Sequence, residues 1–468
     1  MKTISEHKWL ITGLGILWFF WLIVILFPGD FDGRLAPISP RVFALVSLAL
    51  TLLVLVILRI NGKGILANRT LFISASVVLS FCVALNFFGT RFFAFPEWIY
   101  GFSSALSGLS EGLCFMLLFE LLASLTLRET RTVLVGSVVL GSAFYLGTTL
   151  YAFSDYAFGF YETLLMLVLI PSYLCSLGQT GVRAQTKRNS EASSPIKLSL
   201  GRIASIMLVF GVLMGASIRG FEKGALIWMS AVISVAAICA LVGFGYYLKR
   251  KSRVSNILFI GKLCVVAATI GLLLYFLSPV NSALSFAIAA IAYIIFFTVM
   301  FVFVSTVVRY QDRYPISAIY GITLIADSAG IAIGNLVYLL IFSVNENLMA
   351  IFLFITTSFF VIASVFFFNK HSLFPVDDRF AKMQLDDKEI YVRCIQLSLE
   401  HKLTPRQEEI FILLVRGKRV STIAESLVLS PGTVRAHVHK VYEKMGVHST
   451  NELMTLVTGS HQVSSSSL

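Results

Sequence analysis

The sequence predicts an all-α protein in two unlike parts: a twelve-helix transmembrane bundle built as six plus six, then a small four-helix domain. Three observations carry this. The 468 residues are 57% hydrophobic and only 13% charged, against about 25% charged in soluble proteins. A soluble multidomain chain needs a polar skin around each core, and this composition cannot supply one, which excludes a soluble multidomain enzyme. Second, membrane-length apolar runs recur up to Phe368 and then stop. The residues beyond Phe368 hold 13 of the 37 Lys and Arg, 11 of the 25 Asp and Glu and six of the seven His. Third, helix-capping residues recur at regular intervals between Leu403 and Val457.

A hydrocarbon core of ~30 Å takes about 20 apolar helical residues. Twelve segments qualify: 10–27, 42–58, 71–88, 99–125, 132–153, 158–177, 203–218, 225–248, 257–277, 283–308, 316–342 and 348–368. The shortest, 203–218, starts beside Arg202. The first lacks a small-x-small cleavage site and reads as a span, not a signal peptide. With a cytoplasmic N-terminus, the inner loops and N-tail carry 18 Lys and Arg and the outer loops five. Basic residues concentrate on the cytoplasmic side, so the expected location is the inner (plasma) membrane, multi-pass, with both termini cytoplasmic. The net charge of +12 thereby reads as membrane sidedness. Cys82, Cys114, Cys175, Cys239, Cys264 and Cys394 show no C-x-x-C spacing and read as small hydrophobes. No metal or cofactor is expected.

The expected domains are 1–368 (halves 1–177 and 203–368, joined by the polar cytoplasmic linker 178–202), a linker and connector helix over 369–402, the domain 403–457, and a disordered tail over 458–468. Six plus six spans about a long basic loop resembles the major facilitator architecture. In that family the loop between spans 2 and 3 carries Gly, Asp, Gly and a basic run. Here Arg59-Ile-Asn-Gly-Lys-Gly-Ile-Leu-Ala-Asn-Arg69 keeps the glycines and bases but lacks the Asp, which weighs against active transport.

Ionisable residues inside spans need partners or a wet cavity. Glu120, Glu162 and Lys262 lie toward span ends and are expected to snorkel. Glu111 and Asp327 lie near mid-span and are ligand candidates, as is Trp228; the same two carboxylates could instead fix the bundle internally. Glu111 sits within Gly108-x-x-x-Gly112 and Asp327 just before Gly330-x-x-x-Gly334. That spacing lets helix backbones approach. By analogy with facilitator bundles, span 4 lines the central cavity, which favours Glu111. Trp18 and Trp21 could line a cavity for an aromatic ligand.

In the C-terminal part, Thr404-Pro405-Arg406-Gln407 is a capping box with Pro at the first helical position. It opens a helix with Ile410, Leu413 and Leu414 inward, ended by Gly417. A short helix follows over about Ser421–Leu427. Ser430-Pro431 caps a third helix running to Met445, stopped by Gly446, and Ser449–Glu452 caps a fourth over 450–457. Two helices joined by a few residues make a helix-turn-helix, whose second member enters the DNA major groove. The third helix carries Arg435, His439 and Lys440 outward, with His437 and Lys444 nearby. Residues 390–402 suit an amphipathic connector helix, with Ile390, Cys394 and Leu397 on one face.

This segment resembles the LuxR/NarL-type helix-turn-helix family. The matching residues are Leu403-Thr404-x-Arg406, Glu409-Ile410, Leu413-Leu414, Gly417, Ile423-Ala424, Leu427, Ser430, Thr433-Val434-Arg435-x-His437, Val441-Tyr442-x-Lys444-Met445-Gly446-Val447 and Glu452-Leu453. The resemblance implies that Arg435, Ala436 and His439 face base edges. It implies that Thr433, His437, Lys440 and Lys444 serve the DNA backbone. It also implies that the fourth helix, through Leu453 and Leu456, makes the homodimer contact on double-stranded DNA. Arg419-Val420-Ser421-Thr422 departs from the family pattern at the second helix. With no receiver or autoinducer domain and no catalytic motif, the sequence reads as a non-enzymatic, bacterial, membrane-bound one-component transcription regulator. A small-molecule ligand would be sensed by the bilayer-embedded bundle. The alternatives are a facilitator-like transporter with a DNA-binding regulatory tail, or a bundle that only anchors.

Overall fold

The structure is a computed structural model. It describes residues 2–26, 40–61, 68–92, 95–151, 155–180, 200–217, 226–250, 254–277, 282–308, 314–342, 385–415, 418–427 and 429–458, with isolated positions between 351 and 361. All regular structure among them is helical. The chain forms two compact units, one of Met1–Arg188 and Pro195–Val376, the other built on Asp377–Leu468.

The first unit begins with a short helix α1 (Lys2–Glu6) and continues through α2 (Lys8–Leu26), α3 (Pro40–Ile60), α4 (Arg69–Phe92), α5 (Glu97–Ala123), α6 (Leu127–Tyr151), α7 (Asp155–Thr180), α8 (Leu200–Ser217), α9 (Leu226–Arg250), α10 (Val254–Leu277), α11 (Ser282–Val308) and α12 (Ile316–Phe342). Helices α2 to α12 match the first eleven expected spans. Seven of them are long and apolar enough to cross a membrane, and four are shorter apolar helices, among the described residues. The twelfth span lies largely outside the described residues. Helices α7 and α8 run further into the expected 178–202 linker than the sequence suggested, leaving 181–199 outside the described residues.

The bundle is apolar outward as well as inward. Phe259, Leu263, Val266 and Ile270 line one exposed face of α10, and Trp98 is 71% exposed near the start of α5. Lipid tails give helices no hydrophobic reason to associate, so close backbone contact must hold them. Glycine supplies it. A Cβ on Gly108 would strike the Ala44 carbonyl of α3. On α12 a Cβ at Gly330 would strike the Leu208 carbonyl, and one at Gly334 that of Val212. Reciprocally, a Cβ at Gly215 on α8 would strike the Ile331 carbonyl, and one at Gly211 would lie 2.6 Å from that of Asp327. Thus Gly330–Gly334 packs backbone to backbone against a second pair, Gly211–Gly215, whereas in the other expected pair Gly108 meets backbone and Gly112 meets the side chains of Thr51 and Leu48.

The second unit is a set of five helices: α13 (Leu385–Glu400), α14 (Pro405–Val415), α15 (Val420–Leu427), α16 (Pro431–Met445) and α17 (Thr450–Thr458). One core joins them. Cys394 and Leu397 of α13 are buried with Ile410, Phe411, Ile423, Val434, Val441 and Leu453. The connector therefore packs on the domain, starting earlier than residue 390. Gly417 and the tail from 459 lie outside the described residues.

Gly334→Leu forces a side chain into the α8–α12 backbone contact, beyond the ~1–3 kcal/mol of ordinary overpacking. Purified full-length protein should lose its cooperative thermal unfolding transition. Gly243→Ala, at a helical glycine with nothing within 4 Å, should leave that transition in place.

Candidate nucleic-acid interface and the buried layers of the bundle

The C-terminal unit builds a helix-turn-helix from its caps. Thr404 and Gln407 form the expected reciprocal box: Thr404 N–H donates to Gln407 Oε1 at 2.9 Å, and Gln407 N–H to Thr404 Oγ1 at 3.3 Å. Ser430 caps α16, its Oγ accepting from Thr433 N–H at 3.1 Å, with Pro431 next. Gly446 ends α16 in the left-handed conformation, at φ 66°, where a Cβ costs roughly 1–2 kcal/mol. Ser449 and Glu452 cap α17; His448 N–H and Ser449 Oγ both donate to the Glu452 carboxylate. Those bonds, led by that from His448, hold the Glu452 carboxyl below its ordinary value. The cap is therefore complete at neutral pH and is lost as pH falls through the carboxylate range.

Helix α16 turns Val434, Val441 and Met445 inward and leaves Thr433, Arg435, Ala436, His439 and Lys440 exposed. His437 is half-buried, with Nδ1 enclosed and without a hydrogen-bond partner. Two residues with expected roles outside the domain also make contacts within it. Lys444 Nζ donates to the Lys402 carbonyl at 2.8 Å and to Gln407 Oε1 at 3.0 Å, so its ammonium is engaged within the domain. Leu453 is fully buried and Leu456 packs against the same core. On α17, Met454 is an exposed apolar residue.

Sequence reasoning missed two positioning contacts. Arg406 donates to the Leu427 carbonyl at 2.7 Å and to Glu409 Oε2 at 2.7 Å, pinning the end of α15 where the turn begins. His401 Nδ1 donates to the Lys444 carbonyl at 2.9 Å. With the Lys444–Lys402 bond, this ties the end of the connector to the end of α16. Lys402 has φ 50°, the only positive φ at a non-glycine among the described residues.

In the bundle, three layers follow one another along the helices. At the ends carrying Ile60, Ala123 and Ile316, Arg59 Nε lies 2.7 Å from Glu120 Oε1, and Ser317 Oγ donates to the same oxygen at 2.8 Å. This joins α3 and α5 of the first half to α12 of the second. Glu120 is thus paired, not snorkelling. Next comes an aromatic layer. Trp18 packs on Phe115, Phe297 and Phe301 at centroid distances of 4.7, 5.1 and 5.5 Å, and Tyr320 lies 5.4 Å from Phe119. Beyond it, Tyr293 Oη faces Asp327 Oδ1 and Oδ2 at 2.9 and 2.8 Å. Trp21 stacks on Tyr293 at 5.7 Å and 17°. Glu111 is 2% exposed, and its Oε1 has no hydrogen-bond partner. Glu111 and Asp327 lie on different helices and are not paired. Trp228 belongs to α9, but its side chain lies outside the described residues. No group of three or more His, Cys, Asp or Glu able to hold a metal occurs among the described residues.

These features define a multi-pass helical membrane protein that carries a DNA-binding helix-turn-helix. Residues 401–457 match the family described as bacterial regulatory proteins, luxR family. The spore germination protein GerE of Bacillus subtilis (strain 168) is 40% identical over 50 residues, 11% of this chain and 68% of that protein. Through this domain the chain belongs to the luxR family. The bundle resembles the human organic anion transporter MFSD10 (TETRAN), with a TM-score of 0.55 and 12% identity over 79% of this chain and 99% of that one. It also resembles a bacterial homologue of the iron transporter ferroportin in an outward-facing state, with a TM-score of 0.51 and 11% identity over 78% and 98%. At these identities the likeness is one of fold alone.

Lys444→Met keeps the apolar stem and removes the ammonium. It should lower the stability of the C-terminal unit by ~1–2 kcal/mol and leave the salt dependence of DNA affinity unchanged. A phosphate contact by Lys444 would instead reduce that slope by about one.

Proposed function

We propose that this chain is a membrane-embedded one-component transcription regulator, in which a small ligand held by the helical bundle alters how the LuxR-type domain engages DNA. The observation that carries this reading is the union, in one polypeptide, of a capped helix-turn-helix with a polytopic bundle that buries carboxylates at mid-span. A ligand shifts such an equilibrium only by binding two states with different affinity. The Arg59–Glu120–Ser317 junction and the aromatic layer, both spanning the two halves, are contacts that two such states would make differently.

On DNA, Arg435, Ala436 and His439 read base edges in the major groove, and Thr433, His437 and Lys440 meet the backbone. Arg435 has the fork geometry that suits guanine O6 and N7. A second copy docks through α17 at Met454, forming a homodimer on its operator. The protein lies in the inner membrane with both termini cytoplasmic. The basic bias of the loops supports this, and so does the placement of Arg59 at the end that the sequence assigns to the cytoplasm. Nothing in the sequence supplies a catalytic constellation, and the chain is not an enzyme. The transporter-like fold keeps solute transport as a second reading. Substrate uptake into reconstituted vesicles, abolished by Glu111→Gln, would favour it.

Two experiments test the regulator reading. In footprinting, Arg435→Ala should lose preference at one base pair, costing about 1–3 kcal/mol there. Lys440→Ala should weaken all sequences alike and flatten the salt slope. Unchanged footprints in both variants would overturn the assignment of α16. Replacing 1–368 by a single-span anchor should keep operator occupancy but abolish condition-dependent changes in transcription. If those changes persist, the bundle only anchors.

A further inference from the structure

Resting on the reading of the bundle as a sensor, the layer formed by Trp21, Tyr293 and Asp327 can be assigned a ligand class. We infer that it binds an organic amine, protonated and carrying an aromatic or similarly apolar body.

Asp327 is fully buried, and its carboxylate oxygens face one donor among the described contacts, the Tyr293 hydroxyl. A hydroxyl carries one proton, whereas a carboxylate offers about four lone-pair sites. No Lys, Arg or His among the described residues lies within ion-pairing distance of Asp327. A buried carboxylate without a cation is costly. The bundle meets this problem differently at Glu120, which has Arg59. A ligand bearing an ammonium group supplies at Asp327 what Arg59 supplies at Glu120.

The surroundings specify the rest of the ligand. Trp21 is 2% exposed, and its Nε1 has no hydrogen-bond partner. Its indole lies nearly parallel to the Tyr293 ring and 4.5 Å from Phe297, and Phe210 meets the Tyr293 ring at 5.3 Å. Ring faces attract ammonium groups and pack an apolar body, while an anionic ligand would set a second acid against Asp327, which is disfavoured. Trp21 lies about one turn beyond Trp18, and Tyr293 one turn before Phe297, so the layer sits on the side of the aromatic packing away from the Arg59–Glu120 junction. The ligand takes the place of the Trp21–Tyr293 stack, which couples binding directly to rings that touch both halves.

The test uses full-length protein in lipid nanodiscs and three matched probes: 2-phenylethylamine, 2-phenylethanol and 3-phenylpropionate. Tryptophan fluorescence should change saturably with the amine alone. Asp327→Asn should weaken amine binding by roughly 30-fold or more, while remaining monodisperse. Should Asn prevent folding, Asp327→Glu keeps the charge and should keep the preference for amine over carboxylate. Equal binding of all three probes, no binding of the amine, or unchanged amine affinity in Asp327→Asn would overturn the assignment. Operator occupancy is measured in the same samples. Amine binding through Asp327 without any change in occupancy keeps the site and overturns the sensor reading.

Discussion

The crossing of α8 and α12 governs much of what the bundle can do. Gly211, Gly215, Gly330 and Gly334 let the two backbones meet without side chains between them. In lipid this contact cannot be replaced by hydrophobic association. The same crossing fixes Asp327, whose carbonyl lies against Gly211 and whose carboxylate reaches Tyr293 on α11. Toward its other end, α12 presents Tyr320 to the aromatic layer and Ser317 to Glu120. One helix therefore participates in all three layers, and a change in its packing reaches each of them.

The aromatic layer joins the two halves of the bundle by ring packing. Trp18 and Phe115 come from the first half, Phe297 and Phe301 from the second, and all four are almost fully buried. Aromatic pairs contribute about 0.5–1.5 kcal/mol each beyond their burial, so the set holds the halves together with a few kcal/mol. Packed rings of this kind rearrange between alternatives and do not deform gradually. In the C-terminal unit the corresponding junction is at residues 401, 402 and 444. There the connector and the recognition helix share two hydrogen bonds, so movement of the connector bears on α16 itself.

The DNA-binding domain was legible in the sequence because its signals are local. Caps at Thr404, Ser430 and Ser449, the stop at Gly446 and the inward periodicity of Val434, Val441 and Met445 each act within a few residues. Eleven apolar helices were legible for the same reason, with ends within about five residues of those observed, from apolar length alone. What escaped depends on partners far apart in the chain. From sequence Glu120 reads as snorkelling, because Arg59 stands 61 residues away. Gly211 and Gly215 look ordinary until α12 is laid against α8. The hydrogen bonds of Lys444 appear only when Lys402 and Gln407 are brought beside it. The inward spacing of Leu453 agrees with its burial in the core. Asp327 was recognised as deep, but its tyrosine partner and the indole over that tyrosine needed the fold.

The central claim is that the conformation of the bundle sets the activity of the DNA-binding domain. Glu120→Gln tests it most directly, because it weakens the junction between the halves while leaving the Asp327 layer and the helix-turn-helix intact. Operator occupancy of the full-length protein, measured at matched abundance and without added ligand, should move away from the wild-type level. Occupancy identical to wild type in a folded Glu120→Gln protein would contradict the account.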